Sequence, residues 1–134
     1  MMETAFAFDS RTEVLKVTLV GRVDSAPLLV LMGTLRRLGE QLRPRAVVYD
    51  CSAIESVDFD SSFVTSLAGL RPVFESDVLG VILAPHEYIF GIARMYQGMT
   101  AGKRPNVHVV KSWPEVLNAL GLSAPPRYAD VPVA

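Results

Sequence analysis

The stretch RAVVYDCSAIESVDFDSSFVTSLAGL, residues 45–70, decides the fold. Its apolar run Ala46-Val47-Val48-Tyr49 suits a strand buried on both faces, as in a parallel sheet, and sets Asp50 at the strand's carboxyl end. A polar loop follows. Asp58 or Asp60 then caps a helix whose apolar residues Phe63, Val64, Leu67, Ala68 and Leu70 fall on one side at three-to-four spacing. Function is expected in the loop between that strand and that helix.

Working outward toward the N-terminus, Glu3 to Asp9 and Glu13 to Val20 read as two strands joined by the polar turn Asp9-Ser10-Arg11-Thr12. Leu15, Val17 and Leu19 alternate with Lys16 and Thr18, so one face of the second strand is covered and the other partly wet. Gly21-Arg22-Val23-Asp24 ends that strand. Asp24 or Ser25 caps a helix with Pro27 in its first turn, and Leu28, Leu31, Leu35, Leu38 and Leu42 form its apolar stripe opposite Arg36, Arg37 and Glu40. Pro44 stops this helix. Toward the C-terminus, the central helix closes at Gly69 and Pro72, and Val78 to Ala84 is a second uninterrupted apolar strand. Pro85 and His86 turn into a helix reaching about Gly102, Asn106 to Val110 is a short strand, and Ser112 caps a last helix with Pro114 near its start and Gly121 at its end.

The predicted order is β-β-α-β-α-β-α-β-α, an α/β fold with a mostly parallel central sheet, an antiparallel N-terminal strand and packed helices. Residues 1–122 form one domain. Residues 123–134, with three prolines, form an extended C-terminal tail, free or laid on another subunit.

Composition narrows the function classes. Thirteen Lys and Arg against fourteen Asp and Glu leave a formal charge of -1, which gives no electrostatic reason to bind nucleic acid or an anionic membrane. A single cysteine, Cys51, makes no internal disulfide and reads as a small buried hydrophobe. With neither a signal peptide nor a long apolar segment, the chain reads as cytoplasmic, with no stable membrane insertion. Phosphate loops of the GxGxxG or GxxxxGKS type and a GxSxG elbow are absent, so no nucleotide cofactor or serine nucleophile is indicated. Asp24, Asp50 and Asp58 all fall toward the carboxyl end of the sheet, where three carboxylates would serve acid–base chemistry or a metal, or act only as caps. His86 and His108 lack metal-ligand spacing, and no metal is expected.

Gly21-Arg22-Val23-Asp24 after the second strand and Asp60-Ser61-Ser62 before the central helix resemble the STAS domain, which includes the bacterial anti-sigma factor antagonists. In that family a glycine, a variable residue, an aliphatic and an aspartate precede the first helix, and DSSG opens the second. The segments ILAPHEYIFGIARMYQ and NVHVVKSWPEVLNALG are similar to the SpoIIAA-like subgroup, also called STAS/SEC14 proteins, mostly small bacterial proteins. The resemblance implies a SpoIIAA/STAS-like fold and a non-enzymatic regulatory module, without cofactor, that binds a protein partner. It makes Ser61 a candidate phosphorylation site within a partner-binding loop of Asp24, Asp58, Asp60, Ser61 and Ser62. Phe63 stands in the place of the glycine. Counted from Asp50, the triplet also comes two residues late, with Asp58 in the aspartate's register. The same four residues, Asp58, Asp60, Ser61 and Ser62, also suit plain helix capping.

The helix over residues 87–100 carries a further signal. Ile89, Ile92, Ala93, Tyr96 and Met99 make a buried stripe, Tyr88 and Met95 widen it on one flank, and Phe90 falls on the far side with Arg94 and Gln97. Gly91 and Gly98 lie on nearly the same side. Each glycine costs a helix about 1 kcal/mol relative to alanine, so a close approach is expected there. Tyr88, Phe90, Gly91, Met95 and Gly98 are therefore the candidate ligand or dimer face. The readings of that face are packing within the subunit, a homodimer, or an apolar, lipid-like ligand, which the SEC14 part of the resemblance implies.

Overall fold

Alternation along the first two strands fixes how the sheet begins. In the computed structural model, which describes residues 1–133, β1 (Met2–Asp9) pairs antiparallel with β2 (Val14–Asp24), with Phe6 opposite Val17 and Phe8 opposite Leu15. These four side chains share one face and enter the core there. Asp9 holds the turn, its carboxylate accepting from the Arg11 amide at 3.2 Å and the Thr12 hydroxyl at 2.6 Å. The Thr12 hydrogen bond keeps the Asp9 carboxyl below its ordinary pKa.

Next come α1 (Ser25–Leu42), β3 (Ala46–Asp58), α2 (Ser61–Gly69), β4 (Leu79–Leu83), α3 (Glu87–Thr100), β5 (Val107–Val110) and α4 (Trp113–Leu120). β2 through β5 run parallel, as strands joined by helical crossovers do. The order of elements is as predicted, with one addition. The tail returns to its own subunit, where β6 (Ala129–Asp130) pairs antiparallel with β1 and makes the sheet order β5-β4-β3-β2-β1-β6.

Each face of the sheet has its own core. Leu15, Val17, Leu19 and Val47 point to the side of α1 and α3, where Leu31, Leu35, Leu38 and Ile89 meet them. Val14, Ala46, Val48, Val81 and Leu83 point to the other side and meet Val116 and Leu120 of α4. Burying each such aliphatic fully stabilises the fold by about 1.5–3 kcal/mol, so these stripes dominate the placement of the helices. Lys16 lies on the α4 side of β2, its ammonium 4.7 Å from the ring centroid of Tyr128 in the tail.

β3 departs most from expectation. The predicted strand over residues 46–49 and the polar loop after it are one strand of 13 residues. Its pairing with β2 shifts register twice, between Thr18 and Val20 and between Gly21 and Arg22, and each shift gives β3 one residue more than β2. The shifts are bulges. They set the inward side chains Cys51, Ile54 and Val57 at three-residue spacing, so the period of two that marks a strand disappears from the sequence. Gly21, with φ of +89°, supplies the left-handed backbone beside the second bulge.

Candidate functional site

The two bulges also decide what meets at the end of the sheet. Asp24 closes β2, Asp58 closes β3, and the two are register partners. Arg22 clasps both: its Nε donates to Asp24 Oδ1 at 3.0 Å and its Nη2 donates to Asp58 Oδ2. Asp58 first and Asp24 second raise the pKa of this guanidinium. Being exposed, the clasp orients two carboxylates more than it stabilises the fold. Asp24 occupies the N-cap position of α1 without making a side-chain cap, because its carboxylate is turned to Arg22.

Of the two aspartates that suited capping, Asp60 caps α2, its Oδ1 accepting from the Phe63 amide at 3.1 Å. Asp58 belongs to the strand. Ser61 and Ser62 are exposed in the first turn of α2, and the Thr65 hydroxyl donates to the Ser61 carbonyl at 3.0 Å. Both bulges fall between Asp50 and Asp58, so β3 gains two residues over β2 before α2 begins. Asp60→Ala is expected to lower the unfolding free energy by about 1 kcal/mol in urea titrations, with Asp60→Asn close to the parent.

Asp50 lies elsewhere, a correction that follows from the length of β3. It sits in mid-strand, 9% exposed, and its Oδ1 accepts from the Ser52 amide at 3.0 Å and the Ser52 hydroxyl at 2.6 Å, bracing the first bulge. Eight residues of strand put it roughly 26 Å from Asp58. The three carboxylates therefore do not converge. Burial first, then Asp9 and last Asp50, pushes the Tyr128 phenol up to about 12. His86 is a turn residue as expected, standing before α3 with its Nε2 donating to the Ser52 carbonyl at 3.2 Å. Among the described residues, no three His, Cys, Asp or Glu side chains group as a metal ion would need.

A cavity of about 250 Å³ lies between the sheet and helices α1, α2 and α3. Sequence reasoning missed it, since only the bulges bring Cys51, Ile54 and Val57 into one floor. Met32, Leu67, Ile92 and Ala93 are among its walls. Burial, then Asp50, pushes the Cys51 thiol up to about 12, so it stays uncharged at neutral pH. Burial likewise raises the phenols of Tyr49 and Tyr96, which face the same space.

Cations gather at the cavity's border. Three consecutive carbonyls, those of Gly69, Leu70 and Arg71, accept from Lys103 Nζ at 3.2 Å, Arg104 Nη2 at 3.3 Å and Arg36 Nη2 at 3.1 Å. Arg104 Nη1 also donates to the Tyr96 hydroxyl at 2.8 Å. Arg36, Arg71, Lys103 and Arg104 all border the cavity, and Glu75 is the carboxylate among them.

α3 divides the residues proposed for a ligand or dimer face. Ile89 and Ala93 are buried as expected, but Met99 is 45% exposed and Thr100 is buried instead, its hydroxyl satisfied by the Tyr96 carbonyl at 3.1 Å. Phe90 is half-buried against the larger core, with the Lys111 ammonium 4.6 Å from its ring centroid, so it is not part of the outer face. Tyr88 is 66% exposed, Met95 is half-buried, and a Cβ at Gly91 or Gly98 would meet nothing within 4 Å. Among the described residues, nothing makes a close approach to either glycine. Among the described residues no helix is long and apolar enough to cross a membrane.

No family model and no curated protein matches the sequence. Among solved structures, the crystal structure of an anti-sigma factor antagonist from Mycobacterium paratuberculosis is similar, with a TM-score of 0.54 and 15% identity over 90% of this chain and 95% of that one. The chain therefore has the STAS-type fold of the anti-sigma factor antagonists, the fold that Gly21 to Asp24 and Asp60 to Ser62 implied.

Proposed function

We propose that this chain is a cytosolic, non-enzymatic regulatory module that binds a protein partner through the corner of Asp24, Asp58, Asp60, Ser61 and Ser62, and that phosphorylation of Ser61 switches it. The observation that carries this is the position of Ser61, exposed in the first turn of α2, just beyond the carboxylate pair clasped by Arg22. Free amides and the helix dipole favour an anion there by about 0.3–1 kcal/mol. Asp58 and Asp60 oppose it, so a phosphate changes the local charge by about two units with little effect on folding. The likeness to an anti-sigma factor antagonist supports a protein as the partner class. The open face of Tyr88, Gly91 and Gly98 is proposed for a second copy of the chain, since glycines let another helix come close.

Phosphoproteomics of the native host and partner capture by Ser61→Asp and Ser61→Ala variants test the switch. Ser61→Asp is expected to change capture about tenfold while the melting temperature moves by no more than about 3 °C. Ser61→Ala should capture as the parent does. Equal capture by all three forms, with Ser61 unmodified in the host, removes the switch.

The cavity favours a second reading, that of a small carrier of an apolar ligand. The seat for that ligand is the space beneath α3, bordered by Ile92, Ala93 and Tyr96, in place of the outer residues Tyr88, Phe90 and Met95.

A further inference from the structure

The border of the apolar cavity and the cation cluster are one construction, because Leu70 and Arg71 edge the space and their carbonyls, with that of Gly69 beside them, are held by the cations around it. We propose that the cavity takes a single-chain amphiphile with an anionic head, its tail over Cys51, Ile54 and Ala93 and its head among Arg36, Arg71, Lys103 and Arg104. This rests on the carrier reading and specifies its ligand.

Size limits the tail. A methylene occupies about as much room as a water molecule in the liquid, roughly 30 Å³, so a cavity of about 250 Å³ accommodates a chain of about eight carbons. One short chain fits; two acyl chains do not. The floor and walls offer aliphatic and thiol surface, and the phenols of Tyr49 and Tyr96 stay neutral, so nothing charged inside opposes an apolar tail.

Charge selects the head. Four cations border the cavity against the single carboxylate of Glu75. Among the described residues the ion pairs involve only Arg22 and Lys111 as cations, so none of the four is neutralised by a carboxylate. Their hydrogen bonds run to carbonyls and to the Tyr96 hydroxyl. A guanidinium has five N–H groups, of which Arg36 uses one here and Arg104 two. The spare donors suit a carboxylate or a phosphate, the two anions a guanidinium fork binds in bidentate fashion.

The test is a titration of the purified chain, prepared without detergent, with octanoate, octyl phosphate and octan-1-ol at low salt. Calorimetry or native mass spectrometry reads the affinity. Both anions are expected to bind about tenfold tighter than the alcohol, and the tighter of the two names the head group. Arg71→Gln, at an exposed position, should weaken the anions about fivefold and leave the alcohol unchanged. Arg36→Gln is the second such variant, and Ala93→Leu, whose three added carbons take up about a third of the space, should weaken all three probes about tenfold while the chain stays folded. If the alcohol binds as tightly as the anions, the anionic head is wrong and the apolar carrier stands. If none of the three binds the folded parent chain, both are wrong.

Discussion

Leu35→Ala is expected to lower the unfolding free energy by about 3–4 kcal/mol, the largest effect of any single side chain in α1. Leu35 is fully buried at the centre of the helix's stripe, between Leu31 and Leu38 and over β2. The sheet beneath it cannot collapse into the space vacated, so the lost burial and the new void add together. For a chain of this size the melting temperature should fall by roughly 10 °C. Val30, on the same helix but 71% exposed, provides the contrast. Val30→Ala should change stability by no more than about 0.5 kcal/mol. Urea titrations of both variants check the pair, and similar losses at the two positions would mean that α1 is rotated from the orientation described.

The second large effect is a difference in sign between two chemically identical substitutions. Ala84 is fully buried in the larger core and does not border the cavity, so Ala84→Leu forces extra carbons into filled space and should destabilise by about 1–3 kcal/mol. Ala93 is also buried, yet it borders the cavity. Ala93→Leu places about three carbons in open apolar space and should stabilise by up to about 2 kcal/mol, at roughly 0.8 kcal/mol per carbon. Thermal and urea unfolding of the two variants reads the contrast directly. Equal destabilisation by both would count against a cavity at this place.

Where the local pattern and the final packing agree, the sequence is legible. The stripe Leu31, Leu35 and Leu38 requires a helix on the sheet, and it is found there. The uninterrupted run Ala46 to Tyr49 requires a strand covered on both sides, which β3 provides with α1 and α3 on one face and α4 on the other. The hairpin, the cap by Ser112 and the stop at Gly121 follow from turn and cap chemistry in the same way. Legibility fails where regularity is broken on purpose. The bulges shift Cys51, Ile54 and Val57 out of a period of two, so eight residues of strand look like a loop and Asp50 looks like a strand end. The site suffers most from this. The pairing of Asp24 with Asp58 depends on the bulge count, the cavity depends on where the bulges aim three side chains, and neither property is local. Met99 and Thr100 exchange places for a simpler reason: near the end of α3 a threonine can satisfy its own hydroxyl on the helix backbone and be buried, which periodicity of apolar residues does not count.

The two residues of β6 have a consequence for solubility. Without them, β1 would be an edge strand with a free row of amides and carbonyls, a template on which another chain could add. Ala129 and Asp130 occupy part of that row, and the Val131 amide donates to the Phe6 carbonyl at 2.8 Å. Pro132 follows at once, and Pro125 and Pro126 precede, so the covering segment is itself a poor partner for any further strand. The part of this edge from Phe6 to Phe8 is thereby shielded from a further strand, by a strap too short to serve as a template in its turn.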